Sequence, residues 1–251
     1  MINYLSIDLE SWASPNLPEY VRLSSSEKKR LDNGHIKKSA LEILRILKKN
    51  KTKLTFFIVG QLYEWYPEVV EKIASEGHEI AYHTHAHDFL VNKKTLIGSI
   101  EKSKKFIQRY KPIGFRAPRI YLKTDHLSVL KKFNFKYDSS TYGSFYHSKK
   151  INDILELPVS TIGKIPIGSG YFIGALGKHI QWAYKEINKK DIPVISFIHN
   201  WQILRPTEPS FPSNQYLLSH PHYLPYLMNC ASTFNYLLKQ FRFIPMKNLI
   251  Q

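Results

Sequence analysis

Short β-branched or aromatic runs alternate with helical patterns along this chain. That alternation limits its fold more than any other feature, because it is the sequence form of a parallel α/β protein. Tyr4 to Leu9 is the first strand candidate, and it runs into a polar loop containing Pro15 and Pro18. Ile36, Ala40, Ile43, Leu44 and Leu47 then recur at helical spacing, with Lys37, Lys38, Lys48 and Lys49 facing away. Leu54 to Val59 is an uncharged strand candidate. Pro67 suits the first turn of a helix that buries Val69, Val70, Ile73 and Ala74, and Gly77 closes it. His78 to Tyr82 predicts a third strand. Leu96, Ile100 and Ile107 mark a basic-faced helix, and Gly114-Phe115-Arg116 reads as a strand end. Thr124 is a candidate N-cap for a helix carrying Leu127, Leu130 and Phe133. Phe135 to Tyr137, Ile154 to Val159 and Val194 to Ile198 predict further strands. Helices are expected around Ile180 to Ile187 and from Leu227 to Phe241, ahead of an extended tail at Phe243-Ile244-Pro245. No repeat, low-complexity tract or Gly/Ser linker interrupts the pattern, so residues 1–251 are expected to form one domain. A barrel-like version of this fold would place functional residues at strand C-termini, where the βα loops begin.

Composition narrows the class. At 43% hydrophobic and 14% aromatic residues, the 251-residue chain is globular and large enough to fold without disulfides. It has one cysteine, Cys230, so no internal bridge can form, which suits a reducing compartment. No run approaches the roughly 18–20 apolar residues needed to cross a bilayer. The first eight residues lack the basic region and long apolar stretch of a secretory leader and read as a strand from the third residue onward. The expected location is therefore the cytoplasm, including the inner face of the membrane. Thirty-six Lys and Arg against 20 Asp and Glu give a formal charge of +16. A field of that sign attracts nucleic acid, an anionic membrane surface or an acidic substrate. The lysines are dispersed over many helices, which disfavours nucleic acid, whose binders gather their basic residues on one face.

The unusual polar residues sit at predicted strand ends. Asp8 and Glu10 close the first strand, where the period of two points both to one face. Two adjacent carboxylates repel unless a cation or a shared proton offsets them. His83-Thr84-His85-Ala86-His87 follows the third strand, and neutral imidazole is the commonest metal ligand. If the strand continued, all three histidines would share a face. If the chain turns at Thr84, His83 and His87 converge and His85 points elsewhere. Two histidines with one carboxylate form a recurring ligand set for a catalytic metal with an open position. Arg116, Asp138 and His199 have the same strand-end placement. A lone histidine on an apolar strand is more often a satisfied core residue than a catalyst, but five polar strand ends in one ring argue for a site.

The order of these motifs resembles the polysaccharide deacetylase family, the NodB-homology or carbohydrate esterase family 4 group. Gly77-His78-Glu79-Ile80-Ala81-Tyr82-His83-Thr84-His85-Ala86-His87 is similar to its metal motif. Gly114-Phe115-Arg116-Ala117-Pro118 is similar to its arginine motif, and Tyr137-Asp138-Ser139-Ser140 to the aspartate segment that follows. Leu155 to Ser160 and Ile198-His199-Asn200-Trp201 resemble later segments of its bacterial surface-sugar branch. The resemblance spans roughly residues 3 to 245. It implies a distorted (β/α) barrel of about seven parallel strands and hydrolysis of an N-acetyl group on a sugar. It also implies Asp8 as general base, His83 and His87 as metal ligands, His199 as general acid, Arg116 as the partner that orients Asp8, and Asp138 as a tuner of His199. The backbone N–H of Arg119 would sit in the oxyanion hole.

The chain departs from the family at several points. Asp8-Leu9-Glu10 is a D-x-E form in place of adjacent aspartates, with Ser11 where a further acid is usual. Glu10 is the favoured third ligand, and exchanged roles for Asp8 and Glu10 are the alternative. Arg119 replaces a neutral or aromatic side chain, and Asn200 replaces a common proline. The implied metal is zinc, with cobalt or nickel as substitutes. Tyr142, Tyr171, Phe172 and Trp201 are candidate sugar-stacking walls, and Gly168-Ser169-Gly170 a candidate flexible loop over the site mouth. The expected substrate is an N-acetylated sugar of a surface-polysaccharide precursor, phosphate- or lipid-linked, with peripheral contact to an anionic membrane. Two rivals remain: an amidohydrolase on the same scaffold that cuts a formamide or a cyclic amide, and a non-enzymatic basic binding protein. Oligomeric state is not legible.

Overall fold

The computed structural model describes residues 1–13 and 20–250, the side chains of Tyr146, Pro221 and His222 excepted. The expected loop around Pro15 and Pro18 lies outside the described residues. Eleven strands follow in chain order: β1 (Ile2–Leu9), β2 (Thr55–Ile58), β3 (Glu79–Tyr82), β4 (Gly114–Phe115), β5 (Tyr137–Asp138), β6 (Tyr142–Gly143), β7 (Lys150–Ile151), β8 (Ile154–Glu156), β9 (Val159–Ser160), β10 (Ile195–His199) and β11 (Arg242–Phe243). Seven of them, in the spatial order β10-β1-β2-β3-β4-β5-β8, run parallel. β7 extends the sheet antiparallel to β8, and β11 pairs with the start of β1. Helices cover the outer face, as right-handed crossovers between parallel strands require. This is the distorted (β/α) barrel.

The distortion has a location. No strand ladder joins β8 to β10 among the described residues. The gap is spanned by β9, which pairs with β6, and by the backbone of Gly168. The Gly168 N–H donates to the Ser160 carbonyl, and its own carbonyl accepts from Phe197 N–H. A Cβ at Gly168 would lie 2.4 Å from the Ile195 carbonyl oxygen, so only glycine permits this approach. A Cβ at Gly170 would meet Gln202 Oε1 at 2.1 Å. Both glycines are buried, so Gly168-Ser169-Gly170 is a tightly packed joint that opens the helix Gly170–Leu176, not a flexible loop.

Two packed layers form. On the outer side, Leu5, Ile7, Leu9, Phe56, Ile58 and Ile80 face Ile36, Ile43, Leu47, Val70 and Ile73 of the helices. Inside the barrel, Tyr4, Phe57, Ala81, Tyr137, Leu157, Ile195 and Met246 pack together. The interior also holds a buried acid. Glu79 accepts hydrogen bonds from Thr55 Oγ1 (2.6 Å), the Tyr137 hydroxyl (2.8 Å) and the Lys247 backbone (2.8 Å). Burial raises the Glu79 pKa despite these donors.

Some elements differ from their sequence pattern. The helix expected through Leu96 and Ile107 breaks into Lys93–Lys102 and Lys104–Tyr110. The Ser103 hydroxyl at the break serves the Tyr82 hydroxyl (3.0 Å) and His85 Nδ1 (3.1 Å). Thr124 opens a 3₁₀ turn, Thr124–His126, rather than capping the helix Leu127–Lys132. The last helix is shorter than expected, Ala231–Gln240.

His78 sits beneath the sheet, accepting from Leu54 N–H through Nδ1 (3.2 Å) and packed edge-on against Phe56. Burial, reinforced by Lys53, lowers its pKa from 6.5 to about 4. The unfolded chain therefore takes up this proton at a higher pH than the folded one. The stability tied to a neutral His78 is complete above pH 6.5 and is lost as pH falls toward about 4. A His78→Gln variant is expected to show a smaller fall in urea midpoint across that window than the parent protein. Equal falls would show that His78 does not set this slope.

Candidate active site

The polar strand ends converge at the C-terminal mouth of the barrel. Asp8 and His199 are register partners on β1 and β10, and Glu10 follows β1 by one residue. His83 directly follows β3, Arg116 directly follows β4, and Asp138 closes β5. A cavity of about 610 Å³ opens over them, lined by Asp8, His83, His87, Arg119, Tyr142 and His199 among others.

Arg116 is fully buried, with a relative exposure of 0%. Its Nη1 donates to Asp8 Oδ1 at 2.6 Å and to Ser6 Oγ at 2.7 Å. Nε donates to the Ser139 carbonyl (3.0 Å) and Nη2 to Ser139 Oγ (2.9 Å). The guanidinium also lies over Phe57, 4.0 Å from the ring centroid, and near Phe197 at 5.1 Å. Charge-assisted bonds of this kind fix the direction of a carboxylate.

Glu10 occupies a different environment. Its Oε2 lies 2.8 Å from His87 Nε2 and 3.8 Å from His83 Nε2, and its Oε1 lies 3.6 Å from His199 Nε2. Burial alone would raise its pKa, but His87, His199 and His83 together bring it down to about 2. The Glu10 backbone N–H is fixed by Asn200 Oδ1 (3.0 Å), whose amide in turn donates to Ser39 Oγ (3.0 Å). Ser11 turns away and donates to Asp32.

The chain does turn at Thr84, which has φ 61°, and His87 has φ 58°. Asp88 clamps the turn by accepting from His85 N–H, Ala86 N–H and Ser99 Oγ. The result is convergence of His83 and His87, while His85 points to Ser103. Ligand atoms of Glu10, His83 and His87 all lie within 4.8 Å of one another.

This trio suits a divalent metal on two counts. His83 Nδ1 lies 2.7 Å from the Arg116 carbonyl, which can only accept, so Nδ1 carries the proton and Nε2 presents its lone pair to Glu10. Burial lowers the His83 pKa to about 4, which keeps the ring neutral. Glu10 Oε2 is buried with no aligned hydrogen-bond donor, a costly state that a cation would relieve.

His199 is the most accessible of the five, with 18% of its side chain exposed. Its ring stacks on Trp201 (4.2 Å between centroids), which stacks in turn on Tyr226 (4.3 Å). Gln202 Oε1 accepts from His199 N–H (2.9 Å) and lies 3.2 Å from Nδ1. Gln202, not Asp138, is therefore the residue beside His199. Asp138 is buried with Ser140, whose hydroxyl donates to it. Burial and the neighbouring Glu156 raise its pKa well above the usual carboxylate value. Ser140 also accepts from Ala117 N–H at 2.7 Å, so this pair supports the arginine loop.

All four candidate walls, Tyr142, Tyr171, Phe172 and Trp201, line the cavity, Trp201 being mostly buried and stacked on His199. Arg119 has an exposed side chain at the cavity rim and a left-handed backbone, φ 62°. Tyr223, Pro225 and Tyr226 complete the wall. The sequence pattern did not single them out, because their Pro- and Tyr-rich segment has no regular period.

Two substitutions probe the geometry. Arg116→Met is expected to cost about 3–5 kcal/mol of stability, since it leaves Asp8 buried without its cation. Chemical denaturation would read this, and a loss under 1 kcal/mol would contradict it. Glu10→Gln and His87→Ala are each expected to weaken Zn²⁺ binding at least about tenfold in chelator competition, since even indirect support of a ligand is worth that much. Unchanged affinity would exclude the trio as the metal site.

Comparison with known proteins places this geometry. Residues 31–137 match the polysaccharide deacetylase family model, and residues 129–251 match a domain of unknown function, DUF3473. A peptidoglycan-N-acetylglucosamine deacetylase of Bacillus cereus is 36% identical over 92 residues, 35% of this chain and 34% of the relative. The match thus spans about a third of that curated relative's length. A Mycobacterium smegmatis protein provisionally named a polysaccharide deacetylase has a similar fold, with TM-score 0.72 at 15% identity, covering 99% of this chain and 88% of that one. The allantoinase Puue also shares the fold, with TM-score 0.63 at 16% identity over 90% of this chain and 89% of its own.

Proposed function

We propose that the chain, whose residues 31–137 match the polysaccharide deacetylase family model, is a metal-dependent hydrolase, a carbohydrate N-deacetylase. Its substrate on this reading is an N-acetylated amino sugar of a surface-polysaccharide or lipid-linked precursor. The observation that carries the proposal is the placement of two carboxylates with separate partners in one cavity. Asp8 is held by Arg116, and Glu10 faces His83 and His87.

Glu10, His83 and His87 would hold a divalent metal, zinc first, which when bound would lower the pKa of water from 15.7 to about 7 and polarise an amide carbonyl. Asp8, aimed by Arg116, takes the proton of the attacking water as the water oxygen bonds to the acetyl carbon. The backbone N–H of Arg119 stands in the oxyanion hole of the tetrahedral state. His199, held by Gln202 and stacked on Trp201, gives a proton to the sugar nitrogen as the C–N bond breaks, releasing acetate and a free amine. Tyr142, Tyr171 and Phe172 offer faces on which a sugar ring can stack. All of these residues act within one catalytic unit spanning the chain.

Support for a surface-glycan precursor comes from the D-x-E branch form of Asp8-Leu9-Glu10 and from the +16 charge, which draws phosphate-bearing carriers and anionic leaflets. The proposed place of action is the cytoplasm, at the inner face of the membrane. Among the described residues, no helix is long and apolar enough to cross a membrane.

Acetate release from a panel of N-acetylated, N-formylated and cyclic-amide substrates, with zinc, cobalt or nickel added, tests the reading. Asp8→Asn and His199→Ala are each expected to lower kcat by about 10²–10⁴ with the fold retained. Full rates in either variant, once metal-loaded, would remove that residue from its role. Preferential turnover of cyclic or formylated amides would move the enzyme to that class.

A further inference from the structure

Beside the catalytic cavity lies a second one of about 470 Å³, lined by Val21, Lys28, Ala86, His87, Asp88, Phe89, Pro118 and Arg119. His87 and Arg119 border both cavities, so a substrate seated over the catalytic residues has this second space next to it. Two cations line the second cavity. Arg119 is exposed, and its guanidinium lies 4.4 Å from the centre of the Phe89 ring. Lys28 comes from the helix Ser25–Asp32 and is only 8% exposed.

The position of Lys28 is costly. A buried ammonium is ordinarily paired with an acid or bonded to acceptors. No ion pair within 4.0 Å and no side-chain hydrogen bond joins the Lys28 ammonium to another described residue. Asp88 is the acid that faces it, and the Asp88 carboxylate is already engaged, accepting from His85 N–H, Ala86 N–H and Ser99 Oγ in the histidine turn. Burial lowers the Lys28 pKa, and Asp88 raises it in part. A lysine buried along its stem, with its ammonium unpaired at the wall of a cavity, is a group that can take a partner arriving from outside. Arg119 adds a planar fork of donors suited to carboxylate or phosphate oxygens.

We propose that Lys28 and Arg119 form an oxyanion subsite, which selects substrates carrying a carboxylate or phosphate on the unit next to the N-acetyl sugar. This rests on the deacetylase reading and deepens it by naming a substrate class. The left-handed backbone at Arg119 is part of the device, since it sends the side chain outward over Phe89 while the peptide itself stays at the catalytic mouth. One residue thereby serves the reaction through its backbone and substrate choice through its side chain.

The test uses three matched oligosaccharides with one N-acetyl sugar each: one neutral, one with a neighbouring uronic acid, and one with a neighbouring phosphate ester. Acetate release by the zinc-loaded protein is expected to favour at least one anionic member by about tenfold or more in kcat/KM, expressed in KM. Comparison of the two anionic arms distinguishes carboxylate from phosphate. Lys28→Met and Arg119→Gln are each expected to bring the anionic-to-neutral ratio down toward one. Calorimetry of the same three sugars gives the affinity order without turnover. Equal affinity for neutral and anionic members, or a preference that survives both substitutions, overturns the subsite. An intact affinity preference without acetate release from any member upholds the subsite and overturns the deacetylase reading instead.

Discussion

The buried Arg116 guanidinium is the interaction on which the rest of the site depends. A charge with no solvent access is tolerated only when its donors are met, and here they are met by residues that also have chemical roles. Asp8 and Ser6 lie on β1, and Ser139 follows β5, so one side chain ties opposite arcs of the barrel mouth together. The same residue's carbonyl accepts from His83 Nδ1, which fixes the tautomer of that ring. The direction of the Asp8 carboxylate and the side of the His83 ring that carries the lone pair are therefore set by a single residue. Phe57 and Phe197 flank the guanidinium and seal this polar layer from the apolar interior below.

This arrangement explains how two acids two residues apart can share a site. Placed side by side with common partners, one would be driven to hold a proton. Instead Asp8 faces an arginine and Glu10 faces histidines, so the two carboxylates do not compete for the same partner. The separation holds because Asn200 pins the Glu10 backbone just past the strand end.

Local chemistry was legible in the sequence; partnership across the barrel was not. The strands Tyr4–Leu9, Leu54–Val59 and Val194–Ile198 could be read because each is short, dominated by β-branched, aliphatic and aromatic residues, and buried on both faces. The turn at Thr84 was one of two readings that the histidine spacing allowed, and three donors to Asp88 decide it. The split of the run Ile154 to Val159 into β8 and β9 was not visible. Pro158 has no N–H to give a ladder, and the chain passes from Asp138 as acceptor for Leu157 to Thr141 as acceptor for Val159. Gln202, Asn200 and Lys28 were missed for one reason: their importance lies in what faces them from distant segments, and an isolated polar residue carries no periodic mark of that.

The missing ladder between β8 and β10 then acquires a functional sense. Regular parallel strands lie about 4.8 Å apart and leave no room between them for a substrate. Where Gly168 replaces a strand, the wall is instead built by Tyr142 on one side and by Pro166, Ser169, Tyr171 and Phe172 on the other, all of which line the catalytic cavity. On the opposite flank the histidine turn and Arg119 form the border with the second, cationic space. The cavity is thus aromatic on the side where the barrel is open and basic beyond the arginine. A ring stacked at the seam would have its acyl group over Asp8 and His199 and its neighbouring unit directed toward Lys28. On the proposed reading, the irregularity in the sheet is what would give the substrate its direction.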